Sequence, residues 1–369
     1  GTYRAQIEIS PAEAGPSGLE LRIRVWDAAL PAHRTLENAF FHSGLDSIFL
    51  YLFKGEPRDR WPALWERCQQ ALRAAGQNYF EFYPREGVSD ALITVARREN
   101  GVPILDFSKW DPFVRIAREY GCRNAVIRYS WYVKSWLPEN FAALPAHARE
   151  EVTLPILQQV YDRLKDHGFA RVFYYLIDEL DPAKIGEVCA RMERIRKVCP
   201  GIEFAGSGFG STPVAQMARL GRYLGWVAPY SSSDSIFDWI ESGKVKLPPG
   251  AIIATQLSAG APTDAYHMAR IKFWGAWKRN LGGCQIYGFS TFYPGSKYAA
   301  VFAGPGGPVL SPAMIGIADG TEDYEYLRML DARILELTRK GKRKAAAAIE
   351  RELARVVAPR GALLTWKYV

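Results

Sequence analysis

Histidine and methionine are scarce in this chain, five of each among 369 residues, and the cysteines follow no ligand pattern. There are five of them, Cys68, Cys122, Cys189, Cys199 and Cys284, an odd number, widely spaced and without a CxxC pair. That argues against a zinc site and against a disulfide framework, so no metal and no cofactor are expected. Cys68 and Cys189 fall on the apolar faces of predicted helices, where a free cysteine acts as a small hydrophobe. No run of about 18 apolar residues occurs, so no membrane-spanning helix is expected. The opening residues, GTYRAQIEIS, carry neither an initiator Met nor a signal-peptide pattern, as in a processed or trimmed chain.

Negative charge is also in deficit: the net charge is +8. A basic balance directs attention to nucleic acid. Most Lys and Arg, however, are scattered along helices beside Glu and Asp, and the one dense run, RKGKRK from Arg339 to Lys344, has no interleaved aromatic for base stacking. It is read as a solvated turn between two helices, and no nucleic-acid partner is expected.

What is present is apolar and aromatic material, 48% and 13% of residues, enough for a sizeable core. The first 40 residues alternate, with Leu19, Leu21, Ile23 and Val25 opposite Glu20, Arg22 and Arg24, which predicts β-strands from the end of a sandwich domain. From residue 41 to 310, short apolar runs alternate with amphipathic helices. Candidate strands are Ile48–Phe53, Tyr79–Tyr83, Asn124–Ser130, Val172–Asp178, Ile202–Gly206, Tyr223–Ala228, Ala251–Gln256 and Cys284–Ser290. Asp111 before Pro112 and Gly121 mark the two ends of one helix. Asn100-Gly101 marks a hairpin turn inserted at one end of the barrel. Eight strands over roughly 250 residues predict a (β/α)8 TIM-like barrel of the α/β class. Residues 311 to 369 are read as C-terminal helices packed on it, with Thr321 capping GTEDYEYL.

The stretch VFYYLIDELDP poses the functional question. A strand apolar on both faces ends in two adjacent carboxylates, Asp178 and Glu179, which belong at the C-terminal mouth, where barrel active sites are built. The rival reading is a helix cap, but Asp181, just before Pro182, is the better-placed cap. Two carboxylates in different environments can divide acid and base work, and glycoside hydrolysis is the commonest use. Sequence neighbours do not face each other across a scissile bond, and the other tips offer few acids: Glu86, Asp234 and Asp264. That shortage fits substrate-assisted hydrolysis, in which a 2-acetamido oxygen of the substrate is the nucleophile. Glu179 would be general acid and base; Asp178 would orient the acetamido group. Tyr83, Trp131, Tyr132, Trp136, Phe209, Tyr230, Phe292 and Tyr293 also fall at predicted tips, where rings can stack on sugars. FAGSGFGS loosely matches a dinucleotide loop but breaks the pattern at Ser211 and is read as an ordinary barrel loop.

YYLIDELDP, LDFSKWDPFVRIAREYG and GTEDYEYLRML together resemble glycoside hydrolase family 123 and the wider group of barrel proteins that share its catalytic domain. The resemblance implies an exo-acting, retaining N-acetyl-β-galactosaminidase without a metal, with Asp178 and Glu179 in the roles above. It also implies a glycan or glycoconjugate substrate and an extracytoplasmic location. Expected substrate-binding residues are Tyr83, Trp131, Tyr132, Tyr230, Asp234, Phe292 and Tyr293. The arginines common before DGTEDYEYL in that group are absent here, where SPAMIGIADG stands. Two alternatives remain open: a glycosidase for a non-acetamido sugar with Asp234 as opposing carboxylate, and a carbohydrate-binding barrel without catalysis.

Overall fold

The computed structural model describes residues 2–9, 17–24, 29–31, 34–128, 133–210, 212–229, 234–258, 265–290 and 299–357. The chain divides into two compact units, Gly1–Arg34 and Thr35–Val369. The first contains an antiparallel pair, β1 (Thr2–Ile9) and β2 (Ser17–Arg24), in register from Thr2 opposite Arg24 to Ile9 opposite Ser17.

The second unit is a (β/α)8 barrel. Its staves in chain order are β3 (Glu37–Phe40), β4 (Tyr79–Phe82), β7 (Asn124–Arg128), β8 (Val172–Asp178), β9 (Glu203–Ser207), β10 (Leu224–Ala228), β11 (Ile252–Ser258) and β12 (Gly283–Tyr287), all parallel to their neighbours. Between β4 and β7 lies the antiparallel hairpin β5 (Thr94–Glu99) and β6 (Val102–Asp106); Asn100 (φ 50°) and Gly101 (φ 82°) make its turn. A second hairpin, β13 (Val301–Gly304) and β14 (Gly307–Leu310), follows β12.

Side chains help to close the ring between β3 and β4. Asn38 and Gln77 form a single parallel bridge. Gln77 Oε1 accepts the Phe40 N–H at 2.8 Å, and its amide donates to the Tyr79 carbonyl. Asn78 Oδ1 accepts the Asn38 N–H at 3.0 Å. Buried backbone groups at this seam therefore keep partners although the strands barely pair.

The first stave differs from expectation. Ile48–Phe53 is not a strand: Leu45–Ser47 is a helical turn that runs into a π-helical turn over Ile48–Leu52, and the strand is the short, partly polar Glu37–Phe40 upstream. A short apolar run reads alike as buried strand or buried helix, and Ile48, Phe49 and Phe53 are indeed buried. The first stave thus precedes residue 41, and the break between units falls at residues 34 and 35, not 40 and 41.

The helices bury the faces their periodicity predicts. Trp61–Ala74 buries Leu64, Trp65, Cys68 and Leu72; Ile185–Val198 buries Ile185, Cys189, Met192 and Ile195. All five cysteines are buried. Two capping expectations fail. Asp111 is the first helical residue and its carboxylate pairs instead with Arg163 and His167. Thr321 lies deep inside one long helix, Pro312–Arg339, which Ser311 caps by accepting the Met314 N–H at 3.2 Å. Thr321 faces the closing seam and donates to Ile317 O at 2.9 Å. Four residues on, the buried carboxylate of Glu325 accepts from Thr35 and Leu36 at the entry to β3. The first half of this helix is therefore the eighth helix of the barrel. RKGKRK does form the turn to the last helix, Arg343–Val357, with Gly341 at φ 72°. Among the described residues no helix is long and apolar enough to cross a membrane.

Candidate active site

Strand parity decides which side chains reach the barrel interior. On β8, Val172, Tyr174 and Ile177 pack outward against the helices, whereas Phe173 and Tyr175 pack inward. Strict alternation after Tyr175 would send Ile177 inward and Asp178 outward. A register shift against β9 between Tyr175 and Ile177 inserts one residue, and Asp178 returns to the inner face opposite Ser207.

There Asp178 is solvent-exposed and held by its neighbours. Tyr175 OH donates to Asp178 Oδ1 at 3.0 Å and Ser207 Oγ donates to the same oxygen at 3.3 Å; the two hydroxyls lie 2.5 Å apart. Two hydroxyl hydrogens serve three contacts, so the group acts as one network. Burial, followed by the Asp178 charge, pushes the Tyr175 phenol upward, so it remains a donor throughout the physiological range.

Glu179 follows in the left-handed region at φ 49°, an uncommon conformation for a residue with a side chain, and its N–H donates to Ser207 O at 3.3 Å. Gly208, at φ 75°, makes room for it. A Cβ there would stand 2.9 Å from Glu179 Cγ and 3.0 Å from its nitrogen. Neither carboxylate caps the next helix: Asp181 does so, accepting the Ala183 N–H at 2.9 Å.

Next to Asp178 lies a cluster that sequence reasoning missed. Arg128, on the inner face of β7, has its guanidinium carbon 4.6 Å from the ring centroids of Phe41 and Tyr83 and 5.4 Å from that of Tyr175. Its charge faces Glu81 of β4 at 3.5 Å, with side-chain exposures of 7% and 0%. Glu81 Oε2 accepts the N–H groups of Ser43 and Gly44, both at 2.8 Å, and so pins the turn after β3. His42, also in that turn, is buried; burial, then Arg128 and Arg85, hold its imidazole well below the usual histidine range, hence neutral. Its ring meets those of Tyr287 at 5.1 Å and Tyr83 at 6.5 Å. The available signal was a lone charge inside an apolar strand, Glu81 in YFEFY and Arg128 in AVIRYS. Its weight depends on knowing that both positions face inward near the mouth.

The expected binding residues divide accordingly. Tyr83 is at the mouth, its ring packed between Arg128 and Arg85, with the Arg85 guanidinium donating to its hydroxyl. Trp136 and Phe209 are fully buried in the core, so neither ring faces a cleft; Trp136 donates to Ile93 O at 3.0 Å. Glu86 accepts the Lys134 N–H at 3.1 Å. Asp234 begins the helix Asp234–Glu241 beyond β10. Trp131, Tyr132, Tyr230, Asp264, Phe292, Tyr293 and Ser211 lie outside the described residues, as does the side chain of Asp234. Among the described residues no group of three His, Cys, Asp or Glu side chains is disposed to hold a metal ion.

Fold and site together define a (β/α)8 barrel with an oriented carboxylate at its C-terminal mouth. No protein-family model matches the chain, and no curated protein matches it in sequence. Among solved structures it is similar to the β-mannanase of the blue mussel Mytilus edulis (10% identity, TM-score 0.46, 79% of this chain and 92% of that one). It is also similar to the catalytic domain of a chitinase from Pyrococcus furiosus (13%, 0.42, 80% and 97%) and to a sugar phosphate isomerase/epimerase from Parabacteroides distasonis (7%, 0.43, 78% and 97%). At such identities the likeness is one of barrel architecture and does not reach the chemistry.

Proposed function

We propose that this barrel is a glycoside hydrolase acting on β-N-acetylhexosaminides, galactosaminides foremost, by a retaining, substrate-assisted route. The observation that carries the reading is the inward turn of Asp178 at the mouth, with both hydroxyl donors on Oδ1 and Oδ2 left for a substrate donor. The resemblance of YYLIDELDP and its companion motifs to glycoside hydrolase family 123 supplies the preference for galactosamine and the expectation of an extracytoplasmic glycan.

In this scheme the protonated Glu179 gives its proton to the glycosidic oxygen as the bond to C1 breaks. The substrate's acetamido oxygen closes on C1 to form an oxazolinium ion. Asp178 accepts the acetamido N–H and balances the positive charge. Glu179, now a carboxylate, takes a proton from water as the water oxygen attacks C1 and reopens the ring; two inversions leave the configuration retained. Glu81, another inward-facing carboxylate, is fully buried and occupied by two N–H groups and Arg128, so it is not available as a nucleophile.

The test is release of nitrophenol from aryl β-N-acetylgalactosaminide and β-N-acetylglucosaminide by wild type, Asp178→Asn and Glu179→Gln. The expected result is turnover reduced by about 10²–10⁴ in both variants, with tight inhibition by an oxazoline-mimicking thiazoline. Turnover of non-acetamido glycosides alone, or sugar binding without turnover and unaffected by Glu179→Gln, would sink the proposal.

A further inference from the structure

We propose that Arg128 is a positioning residue for Asp178, acting through the ring and hydroxyl of Tyr175. This deepens the glycosidase reading, and part of its test needs no substrate.

Arg128 is nearly buried and so does not itself make the substrate contact. Its guanidinium carbon lies 5.4 Å from the Tyr175 ring centroid, within cation–π range, and Tyr175 OH is 3.0 Å from Asp178 Oδ1. A cation against the ring draws electron density from the phenol and strengthens its O–H as a donor. It also adds a fixed positive charge in a region of low dielectric, which favours the anionic form of a carboxylate nearby. The coupling is visible from the Arg128 side. Burial opposes its charge, but Glu81, then Tyr175, Tyr83 and Asp178, outweigh burial and raise it on balance. Coupling of this kind is reciprocal.

The other titratable or charged groups around this network are accounted for. Glu81 is held by Ser43, Gly44 and Arg128, the Arg85 guanidinium lies over the Tyr83 ring, His42 is neutral, and Glu179 follows Asp178 in the chain. Arg128 is thus the cation placed against the ring whose hydroxyl holds Asp178. Glu81 fixes Arg128 in turn, so the charge that orients the mouth is set from β4 and β7, on the strands beside the one that carries the carboxylate.

The decisive measurement is the carboxyl carbon-13 NMR signal of Asp178, assigned with Asp178→Asn and read at about pH 8, where exposed carboxylates are ionised. Tyr175→Phe keeps the ring and removes the donor, so it should displace the signal. Arg128→Met should displace it in the same direction, and Arg128→Lys should restore most of the wild-type position. Because Arg128→Met strands a buried carboxylate, Arg128→Met/Glu81→Gln is measured as well. On an aryl hexosaminide, Arg128→Met should lower kcat about tenfold with KM within about twofold and should move the acid limb of the pH profile upward. An unmoved Asp178 signal in the folded Arg128 variants overturns the inference whether or not hexosaminides turn over. A displaced signal rescued by Lys sustains it even if the sugar specificity proves different.

Discussion

Tyr175 and Asp178 point to the same face of one strand although three residues separate them, and the register shift between Tyr175 and Ile177 is the reason. In a regular strand, residues three apart face opposite sides. The network built on this shift has two donors on one acceptor oxygen, which leads to a first prediction. Tyr175→Phe and Ser207→Ala should each lower kcat/KM for an aryl hexosaminide by about tenfold, since either hydroxyl can partly replace the other. The double variant should lose more than the product of the two single losses. Simple multiplicativity in a double-mutant cycle would mean that the hydroxyls act independently.

Asp46 gives a prediction about stability and pH. Its carboxyl is buried in the turn after β3, and burial lifts it to about 7 even though Ser89 Oγ and the N–H groups of Arg85 and Ser89 donate to Oδ1. An acid raised on folding favours the folded state most when protonated. Its contribution is therefore complete below the unfolded value, near 4, and is lost as pH rises through about 7. The loss is on the order of 4 kcal/mol. All three donors meet one oxygen, and Asn retains such an oxygen. Asp46→Asn should thus unfold at higher urea concentration than wild type at pH 8 and at a similar one below pH 4. Equal midpoints at both pH values would show that Asp46 titrates normally.

A comparison of two glycines tests how closely Gly208 is fitted to Glu179. Gly208 and Gly243 have nearly the same backbone, φ 75° and 73°, but a Cβ at Gly243 meets nothing within 4 Å. Gly243→Ala should cost about 1 kcal/mol from backbone conformation alone. Gly208→Ala bears that cost and also pushes Glu179 aside, so it should be destabilised further and lose most hydrolytic activity. Equal unfolding free energies and unchanged turnover would remove Gly208 from the account of the site.

The seam predicts a structural phenotype. Gln77→Leu removes the acceptor of the buried Phe40 N–H and the donor to the Tyr79 carbonyl. Two unsatisfied backbone groups should cost about 3 kcal/mol, seen as a lower urea midpoint at unchanged pH. A cost within about 0.5 kcal/mol, the range usual for surface substitutions, would show that the barrel closes without this side chain.

Much of this molecule was legible in its residues. The alternation of apolar runs with amphipathic helices gave the barrel, Asn100-Gly101 gave the hairpin, and the adjacent carboxylates after a doubly apolar run gave a strand tip at the mouth. These are local patterns, and local physics suffices for them: side-chain periodicity, turn chemistry and the cost of burying charge. The first stave was missed because Glu37–Phe40 is short and partly polar and borrows its edge hydrogen bonds from Gln77 and Asn78, 40 residues away in the case of Asn38 and Asn78. Thr321 was misread because a residue that looks like a cap can equally donate to the preceding turn when a helix begins upstream.

The site was legible only in its exposed part. Asp178 and Glu179 stood out by composition, whereas Glu81, Arg128 and Ser207 depend on parity and on neighbours from other strands. The sequence by itself determined that a barrel would form and that two acids would emerge at the end of its fourth stave. Only the tertiary structure decided that one added residue in β8 turns Asp178 inward, and that a buried arginine stands against the ring that holds it. Register and closure are properties of paired strands, so no single stretch of chain contains them.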